Sequence, residues 1–193
     1  IRFPGVRIGT SGILDKEWIE FVSANVRVPA SFVNDVRSLI AACHAGSKRV
    51  IEMFEEYGQK ELLKYIDHNI RLSKSALSER IEKLPKRTFH SYDWVEYDGR
   101  GTPELYDVSC EMTPSRGKLI FKFSGAEQVT AFINAGPSAV AGVGVITPLL
   151  CMLAYDIPFN EGIWECVEID VGKSGTLVNP RVPAPVTNAH MET

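Results

Sequence analysis

Apolar residues recur at helical spacing through the first half of the chain. From Ser31 to Gly58 the apolar positions form one stripe: Phe32, Val36, Leu39, Ile40, Cys43, Val50, Ile51 and Phe54. This spacing predicts an amphipathic helix about 40 Å long, ended by a C-terminal glycine at Gly58. A second stripe over residues 60–83 predicts another helix, which Leu84-Pro85 ends. With Gly58 between them, the two helices are predicted to form an antiparallel hairpin.

A shorter helix is predicted ahead of this pair. Asp15 stands where an N-cap would stand, directly before an apolar periodic segment over residues 16–24. Residues 25–29 are predicted to be extended, because the residue before a proline avoids helical backbone angles.

The pattern changes to alternation in the second half. Residues 88–98 alternate and are rich in aromatic side chains, which predicts a strand. Further strands are predicted over Leu105–Met112, Lys118–Phe123 and Ile163–Val171, the first two of them joined as a hairpin.

An apolar segment lies between these strands. Pro137 is predicted to begin a helix that continues over residues 138–155. Gly142 and Gly144 indicate either close packing of this helix against another backbone or a helix that begins late, and Pro148 indicates a kink or restart.

Together these elements predict an α+β fold, in which a long helical hairpin is followed by antiparallel strands packed with a glycine-containing apolar helix. Residues 1–86 form the mainly helical segment and residues 87–193 the mainly β segment with one buried helix. Both segments are predicted to be parts of one larger domain.

Composition excludes several classes of function. The 193 residues carry a net charge of −3, with lysine and arginine scattered along the chain, so neither a nucleic-acid surface nor a nucleic-acid partner is predicted. No uninterrupted apolar run approaches the roughly 18 residues that span a bilayer, so no membrane association is predicted. The four cysteines lack CxxC spacing and are interpreted as reduced, buried thiols in a cytoplasmic protein.

Candidate chemistry is sparse. The histidines show no metal-ligand spacing, so no metal site is predicted within this chain: His44, His68, His90 and His190. His44 is interpreted as a structural or interface residue, and His68 as a solvated helix position. His90 is interpreted as a half-buried strand residue. His190 follows a proline-rich segment that should form a rigid loop, so it is a candidate substrate contact. The chain also lacks a phosphate-binding loop and a GxSxG nucleophile motif, and these residues alone name no reaction.

Two runs near the C-terminus carry a family resemblance. Residues 156–162 read D-I-P-F-N-E-G, and residues 175–186 read G-T-L-V-N-P-R-V-P-A-P-V. They resemble the D-I-P-x-N-E-G and G-[ST]-x-[LV]-N-P…P-A-x-V runs of the hydantoinase B/oxoprolinase family. Further landmarks occur in the family's order: residues 1–8, Asn25–Pro29, Glu56–Gly58, Phe123–Gly125, Gln128 and Asn134. Lys122 and Ala126 depart from the family pattern, which usually has an acidic residue and a threonine or serine there.

The resemblance implies a function and an assembly. Members of the family act as the B-type subunit of ATP-dependent cyclic-amide hydrolases that open hydantoin or 5-oxoproline rings. Their partner is an ATP-binding hydantoinase A-type subunit. The implied cofactors are ATP with Mg and a divalent metal, bound largely outside this chain because the family's metal motif lies upstream of Ile1. The chain is therefore expected to be an internal part of a B-type subunit, inactive alone and partnered by the remaining parts of that subunit.

The resemblance also nominates site residues. Asn160, Glu161, Asn179 and His190 are expected to bind substrate or shape the site, while the catalytic residues stay unidentified. Two alternatives stay open. One is a subunit of an ATP-dependent acetone or acetophenone carboxylase, which belongs to the same superfamily. The other is a non-catalytic scaffold or assembly module, which the apolar stripe over residues 32–54 favours.

Overall fold

The computed structural model describes residues 5–97, 103–131 and 133–186. Helices and strands are mixed, with a four-stranded mixed sheet, so the predicted α+β class is confirmed. The chain divides into two units, residues 1–64 and 65–193, and each is described by itself. The predicted helical and β segments, 1–86 and 87–193, remain a prediction.

The first unit begins with a small hairpin, β1 Gly9–Thr10 and β2 Ile13–Leu14. Its turn residues Ser11 and Gly12 both have positive φ, 52° and 79°, as a two-residue type I′ turn requires. Two helices follow, α1 Lys16–Ser23 and α2 Pro29–Tyr57. The predicted N-cap is confirmed, since the Asp15 carboxylate accepts a hydrogen bond from the backbone N–H of Trp18 at 3.0 Å.

Helix α2 begins two residues earlier than its apolar stripe suggested. Pro29 occupies the first turn, where a missing N–H costs no intrahelical hydrogen bond. Gly58 ends the helix with φ 78°, and α3 Gln59–Glu82 begins directly after it. The hairpin of α2 and α3 stays a prediction, because α3 crosses from the first unit into the second.

The first unit leaves much of the apolar stripe of α2 uncovered. Among its described residues, the buried apolar side chains are Val22, Val36 and Leu62. Leu39 of the same stripe is 67% exposed, and Val50 and Ile51 are exposed as well.

The second unit is built on a sheet of four strands: β3 Phe89–Tyr97, β4 Pro103–Ser115, β5 Lys118–Gly125 and β6 Val167–Asp170. Their order is β3-β4-β5-β6. The first three are antiparallel as predicted, and the β4–β5 turn at Arg116-Gly117 has positive φ at both residues, 50° and 74°. The prediction of a wholly antiparallel sheet is wrong at β6, which pairs parallel to β5. A long helical connection precedes β6, and such a crossover permits parallel pairing.

The last strand is also shorter than predicted. Ile163 belongs to a helical turn, α6 Glu161–Trp164, and β6 begins only at Val167. The side chain of Asn160 accepts a hydrogen bond from the N–H of Gly162 at 2.9 Å and thereby caps this turn.

The predicted apolar helix begins at Pro137, as expected. It consists of α4 Pro137–Ala139, a π-helix Val140–Ile146 and α5 Thr147–Met152. The backbone N–H of Thr147 donates to the Gly142 carbonyl five residues earlier, and the Thr147 hydroxyl donates to the same oxygen at 3.0 Å. Pro148 has no N–H, so it cannot donate an α-helical hydrogen bond to the preceding turn. The predicted close backbone approach is wrong at Gly142, since a Cβ there would meet no atom within 4 Å.

The main core of the second unit lies where α3, β5 and this helical segment meet. Its buried side chains include Leu77, Ile81, Leu119, Ile146, Leu149 and Ile163. In the part of the chain that the structure describes, no helix is long and apolar enough to span a membrane.

Candidate functional site

The D-I-P-F-N-E-G run is fastened to α3 at its first residue. The two carboxylate oxygens of Asp156 lie 2.6 and 2.8 Å from the Nη atoms of Arg80. Arg80 also donates to the Leu153 carbonyl at 2.8 Å. The hydrogen bond from Arg80 lowers the pKa of Asp156 below its ordinary value. This end of the run is therefore held by a paired charge.

Asn160 fastens the middle of the run to the same helix. Its Nδ2 donates to the Ser73 hydroxyl at 2.8 Å, and that hydroxyl donates to the Pro158 carbonyl at 2.9 Å. Ser73 is 1% exposed, so a missing partner here would leave a buried polar group unsatisfied. Asn160 was predicted to shape a site, and the structure places it as a brace between the run and α3.

Gly162 completes this attachment. A Cβ at Gly162 would overlap the Ile70 carbonyl oxygen and lie 2.8 Å from the backbone nitrogen of Lys74. Only the absence of a side chain lets the run approach α3 this closely. Glu161 stands apart, because its exposed carboxylate makes no ion pair or side-chain hydrogen bond among the described residues.

Asn179 braces the second run in the same manner. Its Nδ2 donates to the Gly172 carbonyl at 2.9 Å, and its backbone N–H donates to Thr176 at 3.2 Å. The Asn179 carbonyl accepts a hydrogen bond from Gly175 N–H at 2.7 Å. These bonds close a compact loop, and Asn179 shares none of its partners with Asn160.

A third brace joins this loop to the segment after β5. The side chain of Asn134 is completely buried, and its Oδ1 accepts from the Val129 N–H at 2.9 Å. Its Nδ2 donates to the carbonyls of Val129, Ala131 and Pro185 at 2.8, 3.1 and 2.8 Å. One amide thus holds Val129 and Ala131 against Pro185 of the proline-rich segment.

The neighbours of Asn134 and Asn179 in the sequence border a pocket of about 740 Å³ in the second unit. The inner face of the sheet contributes Val95, Val108 and Phe123, the helical segment contributes Val140 and Val143, and the braced loops contribute further apolar residues: Ile133, Ala135, Leu177 and Val178. Its polar side chains include Asp93, Thr147 and Cys151, all of them exposed. The prediction of buried thiols is therefore wrong at Cys151, and it is wrong at Cys43 as well. A concave, mainly apolar pocket with few polar groups is typical of small-molecule sites.

The predicted site residues differ in whether they lie next to this pocket. Val178, next to Asn179, lines the pocket, whereas Asn160 and Glu161 are not among the lining residues. His190 lies outside the described residues. His90 is exposed rather than half-buried, with Nδ1 3.4 Å from the Glu111 carboxylate. The sequence reading missed the pocket itself, although Gly144 and Pro148 in an apolar helix were a signal for it.

Comparison with known proteins decides the family. The family model described as hydantoinase B/oxoprolinase matches residues 1–193. The chain belongs to the hydantoinase B/oxoprolinase family. Among the family's characterised members, caprolactamase subunit beta of Pseudomonas jessenii is 27% identical over 190 residues, covering 97% of this chain and 32% of the relative. The 5-oxoprolinase of Saccharomyces cerevisiae is 25% identical over 165 residues, covering 83% of this chain and 12% of the relative.

A solved structure agrees with these matches. The crystal structure of the ATP-dependent caprolactamase from Pseudomonas jessenii superposes with a TM-score of 0.81 at 26% identity, covering 100% of this chain and 34% of that chain. This hydantoinase B/oxoprolinase chain therefore spans about a third of the length of the caprolactamase subunit.

The metal that the family resemblance implies has no ligand set in the described residues. Within residues 5–97, 103–131 and 133–186, no group of three or more His, Cys, Asp or Glu side chains could hold a metal ion. The residues present do not fit such a centre, which needs several such ligands converging on one point.

Proposed function

We propose that this protein is part of the B-type subunit of an ATP-dependent enzyme that hydrolyses cyclic amides together with an ATP-binding A-type subunit. The observation that carries the proposal is the match along residues 1–193 to the hydantoinase B/oxoprolinase family. The similarity in structure to an ATP-dependent caprolactamase supports the same reaction class.

The chemistry of amide hydrolysis explains why ATP is needed. An amide resists attack by water, because its nitrogen donates electrons into the carbonyl and its oxygen is a poor leaving group. Transfer of the γ-phosphoryl group to the amide oxygen turns that oxygen into a good leaving group. One water molecule then attacks the carbonyl carbon and the ring C–N bond breaks, which leaves a free amine and an acyl phosphate. A second water attacks the same carbon, phosphate departs with the former amide oxygen, and an amino acid, ADP and phosphate are released. On this proposal ATP and Mg are bound by the A-type subunit, outside this chain.

The described residues contribute architecture to this reaction. Asp156, Asn160 and Asn134 hold their loops with charged or buried hydrogen bonds. Rigid loops beside a preformed pocket restrict substrate to a single orientation, and this orientation is a large part of enzymatic rate enhancement. Glu161, which makes no side-chain bond among the described residues, remains a proposed substrate contact, as does His190.

The test uses the complete natural polypeptide with its A-type partner. Purified complex is incubated with ATP, Mg and five- to seven-membered cyclic amides, and ring-opened product and ADP are quantified together. Equimolar product and ADP, absent when either subunit or ATP is omitted, is the expected result. ADP formed only with a ketone and bicarbonate would instead indicate the carboxylase. No turnover of either substrate class would indicate the scaffold role.

A further inference from the structure

The pocket in the second unit is preformed. Its floor consists of core side chains that are at most 4% exposed. They are Val140, Leu177, Ile133 and Val178. Side chains this buried cannot move aside without disrupting the core. The concavity is therefore a fixed feature of the fold, of a size within the roughly 300–1,000 Å³ typical of small-molecule sites.

One wall of the pocket is the π-helix. Val140, Val143 and Gly144 line the pocket from the π-helix, and Thr147 lines it from the first turn of α5. Gly144 contributes no side chain to this wall. π-Helical turns within α-helices are frequently found at functional sites.

The polar groups lie at the mouth of the pocket. Asp93 stands on the inner face of β3, paired in register with Val108. Its Oδ1 accepts from the Trp94 N–H at 2.8 Å, and its second carboxylate oxygen accepts no hydrogen bond from the described residues. The Thr147 hydroxyl donates to the Gly142 carbonyl and keeps its lone pairs. The pocket thus suits a molecule with an apolar body and one polar edge that can donate a hydrogen bond.

We propose that this pocket is the subsite for the ring of the substrate. The methylene groups of a cyclic amide contact Val143 and the buried floor, and its N–H faces Asp93 and Thr147 at the mouth. This inference rests on the proposed function and adds to it the residues that select ring size.

The experiment measures ring-size preference in the complete polypeptide with its A-type partner. Val143→Phe narrows the pocket and Val143→Ala widens it, while Val186→Phe makes the same change at an exposed residue outside the lining. One methylene in an apolar pocket is worth about 10–200-fold in kcat/KM. Val143→Phe should lower the ratio of seven- to five-membered ring turnover at least about ten-fold, and Val143→Ala should raise it. Val186→Phe should leave the ratio unchanged.

Two outcomes separate failure of this inference from failure of the proposed function. If the wild-type complex opens cyclic amides but both Val143 variants keep the wild-type ratio, the ring subsite is overturned and the proposed function stands. If the wild-type complex opens none, binding of a seven-membered lactam is measured calorimetrically. Binding weakened by Val143→Phe but not by Val186→Phe would keep the subsite, and absent or unaffected binding would overturn it.

The KM of an Asp93 variant tests the polar contact separately. The alternative role for Asp93 is structural, because an inward-pointing charge on an edge strand can discourage the addition of another strand. Asp93→Asn should raise KM for both ring sizes by a similar factor if the carboxylate accepts the amide N–H. An unchanged KM would remove Asp93 from the subsite.

Discussion

Truncation of the Asn134 side chain should lower the free energy of unfolding more than truncation of most other polar side chains in this protein. Asn134→Ala removes four hydrogen bonds at a completely buried position and leaves one N–H and three carbonyls without that partner. Each bond contributes about 1 kcal/mol net, so for the four bonds we expect a loss of about 4 kcal/mol. Domains of this kind are stable by only about 5–15 kcal/mol.

Urea denaturation followed by circular dichroism measures this loss. With a typical slope of about 2 kcal/mol per M, the midpoint should fall by about 2 M. The matched control is Asn69→Ala, because Asn69 is exposed and its side chain makes one bond, to the Tyr65 carbonyl. Its free energy of unfolding should change by no more than about 0.5 kcal/mol.

A second substitution separates hydrogen bonding from shape. Asn134→Asp keeps the acceptor for the Val129 N–H but places an oxygen where Nδ2 faces three carbonyls. At neutral pH it should destabilise the fold at least as much as Asn134→Ala, although the two side chains are nearly isosteric. If Asn134→Ala costs no more than Asn69→Ala, the bracing role assigned to Asn134 is wrong.

Three further changes test other parts of the structure. Gly162→Ala should lower the free energy of unfolding by about 1–3 kcal/mol, because its Cβ would meet the backbone of α3. The control Gly46→Ala in α2 has open space at its Cβ and should raise the free energy of unfolding by about 0.5–1 kcal/mol. Thermal unfolding measures both changes. Asp156 has a lowered pKa, so the stability from its Arg80 pair is complete above about pH 4 and is lost as pH falls through the folded-state pKa. A pH series should show that Asp156→Asn lacks this acid-dependent loss. Arg116→Asn should raise the midpoint of thermal unfolding slightly, since asparagine tolerates the positive φ of this turn. An unchanged or lower midpoint would argue against that turn type.

Local signals in the sequence predicted the helices well. The N-cap at Asp15, the glycine at Gly58 and the helix start at Pro137 are each determined by groups within a few residues, so the pattern alone identifies them. The strands β3, β4 and β5 follow alternation and turn residues in the same way.

Features that depend on distant residues could not be predicted. Ile163 reads as the start of a strand, yet the cap from Asn160 and the close contact of Gly162 with α3 hold it in a helical turn. The partner of Asn160 is Ser73, 87 residues away in sequence. For the same reason Asn160 and Asn179, which were predicted as site residues, could not be recognised as braces from the sequence. The pocket likewise requires the sheet, the π-helix and two loops to meet.

The proposed ATP-dependent hydrolysis of cyclic amides determines where the carbonyl oxygen goes. The most direct measurement uses a cyclic amide labelled with ¹⁸O at its carbonyl, turned over by the complete polypeptide and its A-type partner in unlabelled water. Since the activated amide oxygen leaves with the phosphoryl group, we expect one ¹⁸O atom in each phosphate released. Ring opening that leaves the phosphate unlabelled, or ring opening without ATP, would contradict it.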